Sequence, residues 1–534
     1  MKAVLNSASP ALKVGGALRP DVSGIEASRG MKPLPPRENF VAMGVAIFLA
    51  TLASLHAAAS FGFDDVRAKA RALAAQPYVA PAENIPDWMK ALDYSSHRTI
   101  RFDPAHAVWA GDQQPFTVQF FHPGWLYKSP VRINEVNVGL AHPIDFSRDF
   151  YDYGKLKVGP IPPDLGFAGL RIHYPLVHPG DELAVFLGAS YFRSVGKGLH
   201  YGLSARGLAV NTGEQGPEEF PRFEEFWIER PAGGALAVTL YALLNGPSVT
   251  GAYRFTIRPG DDTVMEVKAA LYFRGSPKVI GLAPLTSMFQ HGENTGWSRD
   301  DFRPEVHDSD GLLMNTGDGE WLWRPLTNPK GVSVASFQDK SPRGFGLLQR
   351  DRDFDHYQDL EAAYHARPSV WVEPIGKWGR GAVRLVELST PDETNDNIVA
   401  FWVPATLPPP GEPVELEYRL HWSLEQAHPP GGRVVATRHG RTVTHEADLE
   451  RFFVDFTSNY LKNQNTDPTI ESVVTVGEGA KLVHSIVQKN PYNHTWRAAF
   501  SIRPDGSGKP VELRCFLRKP QHVLTETWSY LWQP

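Results

Sequence analysis

The sequence predicts an all-β protein: a large antiparallel β-sandwich followed by a small immunoglobulin-like β-sandwich. Three observations carry that expectation. Apolar residues alternate with polar ones at period two, most clearly in TVMEVKAALYF at 263–273. There Met265, Val267, Ala269, Leu271 and Phe273 share one face, with Glu266 and Lys268 opposite. Similar runs recur at 98–102, 116–121, 130–139, 183–187, 236–243, 332–337, 382–388 and 397–403, with no long helical pattern between them. Turn chemistry separates the runs; Arg258-Pro259-Gly260-Asp261-Asp262 joins 249–257 to 263–273 as a hairpin.

Each segment has a reading in chain order. Residues 1–59 are a leader. Lys32 and Arg37 precede the apolar run FVAMGVAIFLATLASL at 40–55, and Ala57-Ala58-Ala59 follow it, which is the pattern of a secretory signal cleaved before Ser60. The stretch before Met31 has no clear pattern, so Met31 is a candidate start, and no Arg-Arg pair marks a twin-arginine signal. A short helix opens the mature chain, with Asp64-Asp65 before VRAKARALAAQ and Val66, Ala70 and Leu73 on one stripe. Residues 60–423 form the large sandwich. The composition of 424–433, with Pro429-Pro430-Gly431-Gly432, is that of a linker. Residues 434–534 hold a helix expected near 447–458 and strands at 472–476, 481–488, 496–502, 511–517 and 524–530. Their regular turn spacing gives the immunoglobulin-like expectation.

Composition excludes several classes. With 54 Lys+Arg against 59 Asp+Glu the chain is mildly acidic, and the leader holds six basic and three acidic residues, so its removal takes the net charge from −5 to −8. Nucleic acid is therefore not an expected partner, because phosphate binding needs a basic face. Cys515 is the only cysteine, which rules out an intramolecular disulfide and a cysteine-rich zinc site; in phase with Val511, Leu513 and Leu517, it is expected in the core. An exported chain without a disulfide fits a bacterial periplasm. No P-loop, G-x-S-x-G elbow, H-E-x-x-H or complete EF-hand loop occurs, so neither a cofactor nor a metal is expected.

Polar residues concentrate between 290 and 402, each group beside an apolar run. They include Trp297, Arg303, Asp308 and Asp310, then Arg352, Asp355, His356 and Tyr357, then Tyr364, Arg367, Trp371 and Glu373, and finally Asp396. Taken singly, each group has a plain structural reading. Asp308 and Asp310 before Gly311 suit a turn or half a calcium site, the charged run 350–359 suits a salt-bridge ladder, and Asp396-Asn397 suits a turn. Together they mix carboxylates, guanidinium groups and rings, which is what a saccharide requires: rings stack on C–H faces while Arg and Asp bind hydroxyls. Glycoside cleavage further needs one carboxyl to protonate the leaving oxygen and another to activate water.

The strings RPEVHDSDGL (303–312), GFGLLQRDR (344–352), FDHYQD (354–359), WVEP (371–374), DNIVAFW (396–402) and FLGASYFRSVGKGLHYGLSARGLAVNTG (186–213) resemble those of the periplasmic glucan biosynthesis proteins of the G/D type. The likeness runs from about Phe61 to the C-terminus. It implies a large sandwich with a sugar-binding cleft, a small immunoglobulin-like domain, a periplasmic location and a role in making osmoregulated periplasmic glucans, whose backbone is β-1,2-linked glucose. Some members are inverting endo-β-1,2-glucanases, and close relatives are transglycosylases. The resemblance makes Asp396 the general acid and Asp308 the general base, acting on water through a proton relay, with Tyr364 in that region. Trp297, Arg303, Asp310, Arg352, Asp355, His356, Tyr357, Arg367, Trp371 and Glu373 are then expected to bind substrate. Burial beside Ile398, Phe401 and Trp402 would raise the pKa of Asp396, and Arg303 would keep Asp308 charged. The competing class is a non-catalytic glucan-binding scaffold that assists backbone release and branching. The partners implied are the β-1,2-glucan, the inner-membrane glucan synthase and a second copy of the chain.

Overall fold

Across the interior, the rings of Phe186 and Phe192 meet Phe255 edge-on, each at 5.1 Å between centroids. Phe186 and Phe192 belong to one sheet and Phe255 to another, so these contacts are the seam between two layers. The structure, a computed structural model, describes residues 60–534 apart from 113, 297–299, 410, 425–428, 442–447 and 465–466. The apolar run 40–55 and the leader before Ser60 lie outside the described residues. Phe61–Pro534 forms one compact unit.

Among the described residues the first layer is a ten-stranded sheet and the second a fifteen-stranded one. The ten-stranded sheet runs from an edge at Thr117–Phe121, through Tyr191–Ser194 and Ile398–Pro404, to an edge at Ser333–Asp339. The hairpin read at 249–273 lies inside the fifteen-stranded sheet as Val249–Arg258 and Thr263–Phe273, paired from Val249↔Phe273 to Arg258↔Val264. Its Met265, Val267, Ala269 and Leu271 are buried as the alternation requires. All-β architecture with sandwiched sheets is therefore what the sequence forms.

The helix Phe63–Ala74 packs on the outer face of the larger sheet. Val66 and Ala70 are fully buried among Trp227, Tyr241 and Tyr272, and Asp65 closes the helix start by accepting the Gly62 N–H at 2.8 Å.

Beyond residue 433 the larger sheet continues. Glu471–Val476, Val511–Lys519 and Thr527–Trp532 extend it, joined by a parallel pairing of Leu322 with Thr527 and Trp323 with Trp528. A separate four-stranded sheet, containing Arg433–Arg441, Glu450–Thr457, Ala480–Lys489 and Trp496–Pro504, covers this extension. Phe452, Phe456, Phe500, Cys515 and Trp528 fill the second core between them.

Two local expectations are corrected. The helix expected near 447–458 is the strand Glu450–Thr457, followed by a short helix at Asn459–Asn463. Phe452, Val454 and Phe456 alternate into the second core, and Ser458 starts the helix by accepting the Leu461 N–H at 3.1 Å. Of the strand expected at 98–102, residues 98 and 99 end the helix Tyr94–Thr99, whose first turn Asp93 caps by accepting the Ser96 N–H at 2.7 Å, and Arg101–Phe102 is extended as expected.

Candidate functional site

Strand Val306–His307 pairs antiparallel with Phe289–His291, then turns through Asp308-Ser309-Asp310 into strand Gly311–Asn315. Asp308 thus stands at a strand end, its N–H bound to the Met288 carbonyl at 2.8 Å. Its carboxylate is almost wholly buried and accepts a charge-assisted hydrogen bond from the Arg367 guanidinium. The partner expected for Asp308 was Arg303; the structure supplies Arg367 instead. Arg367 follows a single turn at Tyr364–Ala366, lies over the Tyr364 ring at 4.3 Å, and donates from Nε to the Ala362 carbonyl at 3.0 Å. Gly202 lets it sit there, since a Cβ on that residue would come within 2.9 Å of the Arg367 Cβ.

Tyr364 is buried, and Ala363 before it takes the left-handed conformation at φ 45° to present it. The Tyr364 hydroxyl donates to Glu393 at 2.7 Å; burial, aided by that carboxylate, raises its pKa. Glu393 also receives Arg303 at 2.5 Å. The rest of the Arg303 fork is taken by Asp301, at 2.8 and 2.9 Å, and by Asp359 at 2.9 Å. Arg303 is therefore the hub of a carboxylate clamp that fixes the loop bearing Tyr364. Sequence reasoning did not single out Glu393, Asp301 or Asp359; Glu393 shares its polar run with Asp396, which is the signal that marks it.

Asp396 immediately precedes Asn397 and strand Ile398–Pro404. Its carboxylate remains 37% exposed, with Arg193 at 4.0 Å. Crowding by the surrounding protein pushes its pKa above the ordinary carboxylate range; Arg193 and Arg367 oppose this, and the negative charge of Asp308 reinforces it. The two carboxyl groups therefore interact electrostatically. Asn397, also missed from sequence, is buried and binds the Phe289 backbone in both directions, at 2.8 and 3.0 Å, and the Leu388 carbonyl at 2.9 Å.

Behind Asp308, His307 is fully buried between Glu305 at 2.8 Å and Gln349 at 2.9 Å. Burial disfavours its charge, but the Glu305 carboxylate outweighs that and brings its pKa to about 9. Nearby Glu293 is pushed up to about 8 by burial, although Arg438 lies at 2.9 Å.

The other residues expected at the site are placed as follows. Trp297 lies outside the described residues. Asp310 accepts the backbone N–H groups of Arg350 and Asp351 at 2.8–2.9 Å, so it holds a loop. Arg352 donates to the carbonyls of His365, at 3.0 Å, and Arg367. Tyr357 is fully buried, its hydroxyl on the Asp351 carbonyl at 3.2 Å. His356 and Asp355 are exposed, the first bound to Asp351 at 2.5 Å and the second to Gln358 at 3.0 Å. Trp371 stacks on Trp321 at 5.8 Å, and Glu373 binds His421 at 2.9 Å; their partners are not those of Asp308. One group among the described residues has metal-ligand character: Glu305, Asp351 and His356 present atoms within 4.8 Å of one another. Glu305 is engaged from outside the group by His307, and Asp351 and His356 bind each other.

Fold and site together define a layered all-β protein with a polar region at its strand ends, where Asp308 lies within the electrostatic influence of Asp396 and pairs with Arg367. The chain belongs to the family described as "Periplasmic glucan biosynthesis protein, MdoG", whose model matches residues 61–532. The family is periplasmic. Glucans biosynthesis protein G of Ralstonia nicotianae is 50% identical over 503 residues, covering 92% of this chain and all of that protein. The protein of that name from Rhodopseudomonas palustris is 47% identical, covering 89% of this chain and 94% of its own. The one from Dickeya dadantii is 43% identical, covering 91% and 95%.

Proposed function

We propose that this protein takes part in the biosynthesis of osmoregulated periplasmic glucans by acting on the linear β-1,2-glucan backbone in a cleft at the strand ends. Asp396 is the general acid and Asp308 the general base of an inverting glucanase or transglycosylase. The observation that carries this reading is the contrast between the two carboxyl groups. Asp396 is crowded, open to ligand and shifted toward its protonated form, whereas Asp308 is buried and ion-paired with Arg367. That division of labour is what acid–base cleavage needs. As the C1–O bond breaks, Asp396 delivers its proton to the departing glycosidic oxygen. Water attacks C1 from the opposite face and its proton passes to Asp308, through further water where needed. Tyr364, with its hydroxyl proton held by Glu393, keeps an oxygen lone pair for that relay. Where a sugar hydroxyl replaces water, the same steps give transglycosylation.

Residues 434–534 are read as the immunoglobulin-like unit, and the glucan synthase of the inner membrane and a second copy of the chain as partners. The test is to incubate the purified mature protein with linear β-1,2-glucan and follow product size and anomeric configuration. Shorter chains released as the inverted anomer, or redistributed lengths, support the enzyme. Unchanged glucan overturns it in favour of a binding scaffold.

A further inference from the structure

A hollow of about 520 Å³ is lined by Pro429-Pro430-Gly431, by the start of strand Arg433–Arg441 and by the short helix Asn459–Asn463. That volume lies within the ~300–1,000 Å³ usual for small-molecule sites. Neither Asp308 and Asp396 nor their arginine partners line it. One wall is pinned by backbone. Gly432 donates its N–H to the Leu524 carbonyl at 2.6 Å and accepts the Glu526 N–H at 2.8 Å. A Cβ on Gly431 would lie 2.5 Å from the Leu524 carbonyl oxygen, so glycine is what permits this approach. On the other wall, Ser458 Oγ accepts the Leu461 N–H at 3.1 Å, and Lys489 Nζ donates to the Lys462 carbonyl at 3.0 Å. Both walls are thus fixed without a ligand.

Charge sets the hollow apart. The chain as a whole is acidic, yet among the described residues this lining holds Arg433 and Lys462 and no carboxylate. Neither side chain has an ion-pair or hydrogen-bond partner among the described residues. Acids in the surrounding chain are committed elsewhere. Lys519 takes Asp467 at 2.8 Å, and Arg350 takes Glu526 at 2.5 and 3.0 Å. Arg433 is half-buried, and burial together with the like charge of Arg350 pushes its pKa below the ordinary guanidinium value; Glu526 and Asp310 offset only part of this. A desolvated cation without a counter-charge is unfavourable, and a bound anion relieves it.

We propose that this hollow binds a phosphate monoester, with Arg433 and Lys462 on the phosphate oxygens. Two cations without an acid match the charge of about −1.5 to −2 that such a group carries at neutral pH, where a carboxylate would bring only about −1. Ser458 keeps its hydroxyl proton for donation and Asn459 offers its amide, so donors come from both charged and neutral groups. Val523, 67% exposed in the same lining, and the two prolines give the alcohol part of the ester an apolar surface. The phosphate of a soluble ester and that of a lipid headgroup present the same chemistry to these residues.

The test is calorimetry of the full mature protein with methyl phosphate, beside sedimentation with phosphatidylcholine vesicles containing phosphatidic acid. Arg433→Gln and Lys462→Gln should each weaken binding about tenfold or more, the loss expected when a charge-assisted hydrogen bond is removed. Melting curves without ligand establish folding, and exposed Lys462 carries the test where Arg433→Gln does not fold. Binding of methyl phosphate without the same dependence in vesicles assigns a soluble ester. Vesicle binding that both substitutions weaken extends the site to a lipid headgroup. Acetate bound as tightly as methyl phosphate overturns the choice of phosphate. Binding of neither probe, or binding that the substitutions leave unchanged, overturns the site.

Discussion

The carboxamide of Asn397 holds the backbone of Phe289 at both ends: Oδ1 accepts its N–H at 2.8 Å and Nδ2 donates to its carbonyl at 3.0 Å. Phe289 is paired with His307, directly before Asp308, while Asn397 directly follows Asp396. One buried side chain thus sets the distance between two acidic turns far apart in sequence. Removing it strands buried backbone groups without partners. Asn397→Ala is expected to destabilise the fold by ~2–4 kcal/mol in urea unfolding, the sum of the donors and acceptors left bare. A change too small to measure would mean the two turns are held by something else.

Asp396→Asn keeps shape and polarity but cannot donate the proton. Activity on linear β-1,2-glucan should fall ~10²–10⁴-fold with binding retained. Because crowding raises the Asp396 pKa, the parental rate should decline on the alkaline side as that group loses its proton, and the variant should lack this limb. Asp353→Asn, an exposed turn cap accepting the Asp355 N–H at 3.0 Å, should leave turnover near parental. Equal loss in both variants would remove Asp396 from the acid role.

Much of this arrangement is legible in the chain itself, for reasons that differ by element. Strand Thr263–Phe273 is read correctly because its alternation is long and uninterrupted. Glu450–Thr457 is misread because Leu449, Phe452, Phe453 and Phe456 recur at helical spacing while Phe452, Val454 and Phe456 alternate; the choice between the two faces was made by the second core. Within the site, Asp308 and Asp396 announce themselves as carboxylates beside apolar runs. The roles of Arg367, Arg303 and Asn397 depend on partners brought close only by sheet pairing, such as Phe289 for Asn397, and no local pattern encodes them.

The buried pair of Arg367 and Asp308 invites a double-mutant cycle. Arg367→Met leaves a buried carboxylate without its cation and should cost ~3–5 kcal/mol, whereas adding Asp308→Asn removes the stranded charge and should recover part of the loss. Additive losses from the two substitutions would show that they do not act as a pair.

Stability should fall as pH rises from about 6.5 to 9, and two groups give the sign, the fully buried His307 and the half-buried Glu293. His307, with an ordinary pKa of 6.5 raised to about 9 beside Glu305, binds its proton more tightly folded than unfolded. Its contribution is complete below 6.5 and is lost as pH passes 9. Glu293, raised from 4.5 to about 8 by burial, is likewise a proton binder in the folded state, so its contribution fades between those values. Both slopes point the same way, and both lie beneath the contact of the large sandwich with strand Arg433–Arg441, where Thr437 donates its N–H to Glu293 at 2.5 Å. Glu293→Gln cannot ionise and should make unfolding free energy flatter with pH, with the variant gaining on the parent above pH 8. Denaturant unfolding measured at pH 6, 7.5 and 9 checks this. A parent whose stability rises across that range would contradict the protonation states assigned to both residues.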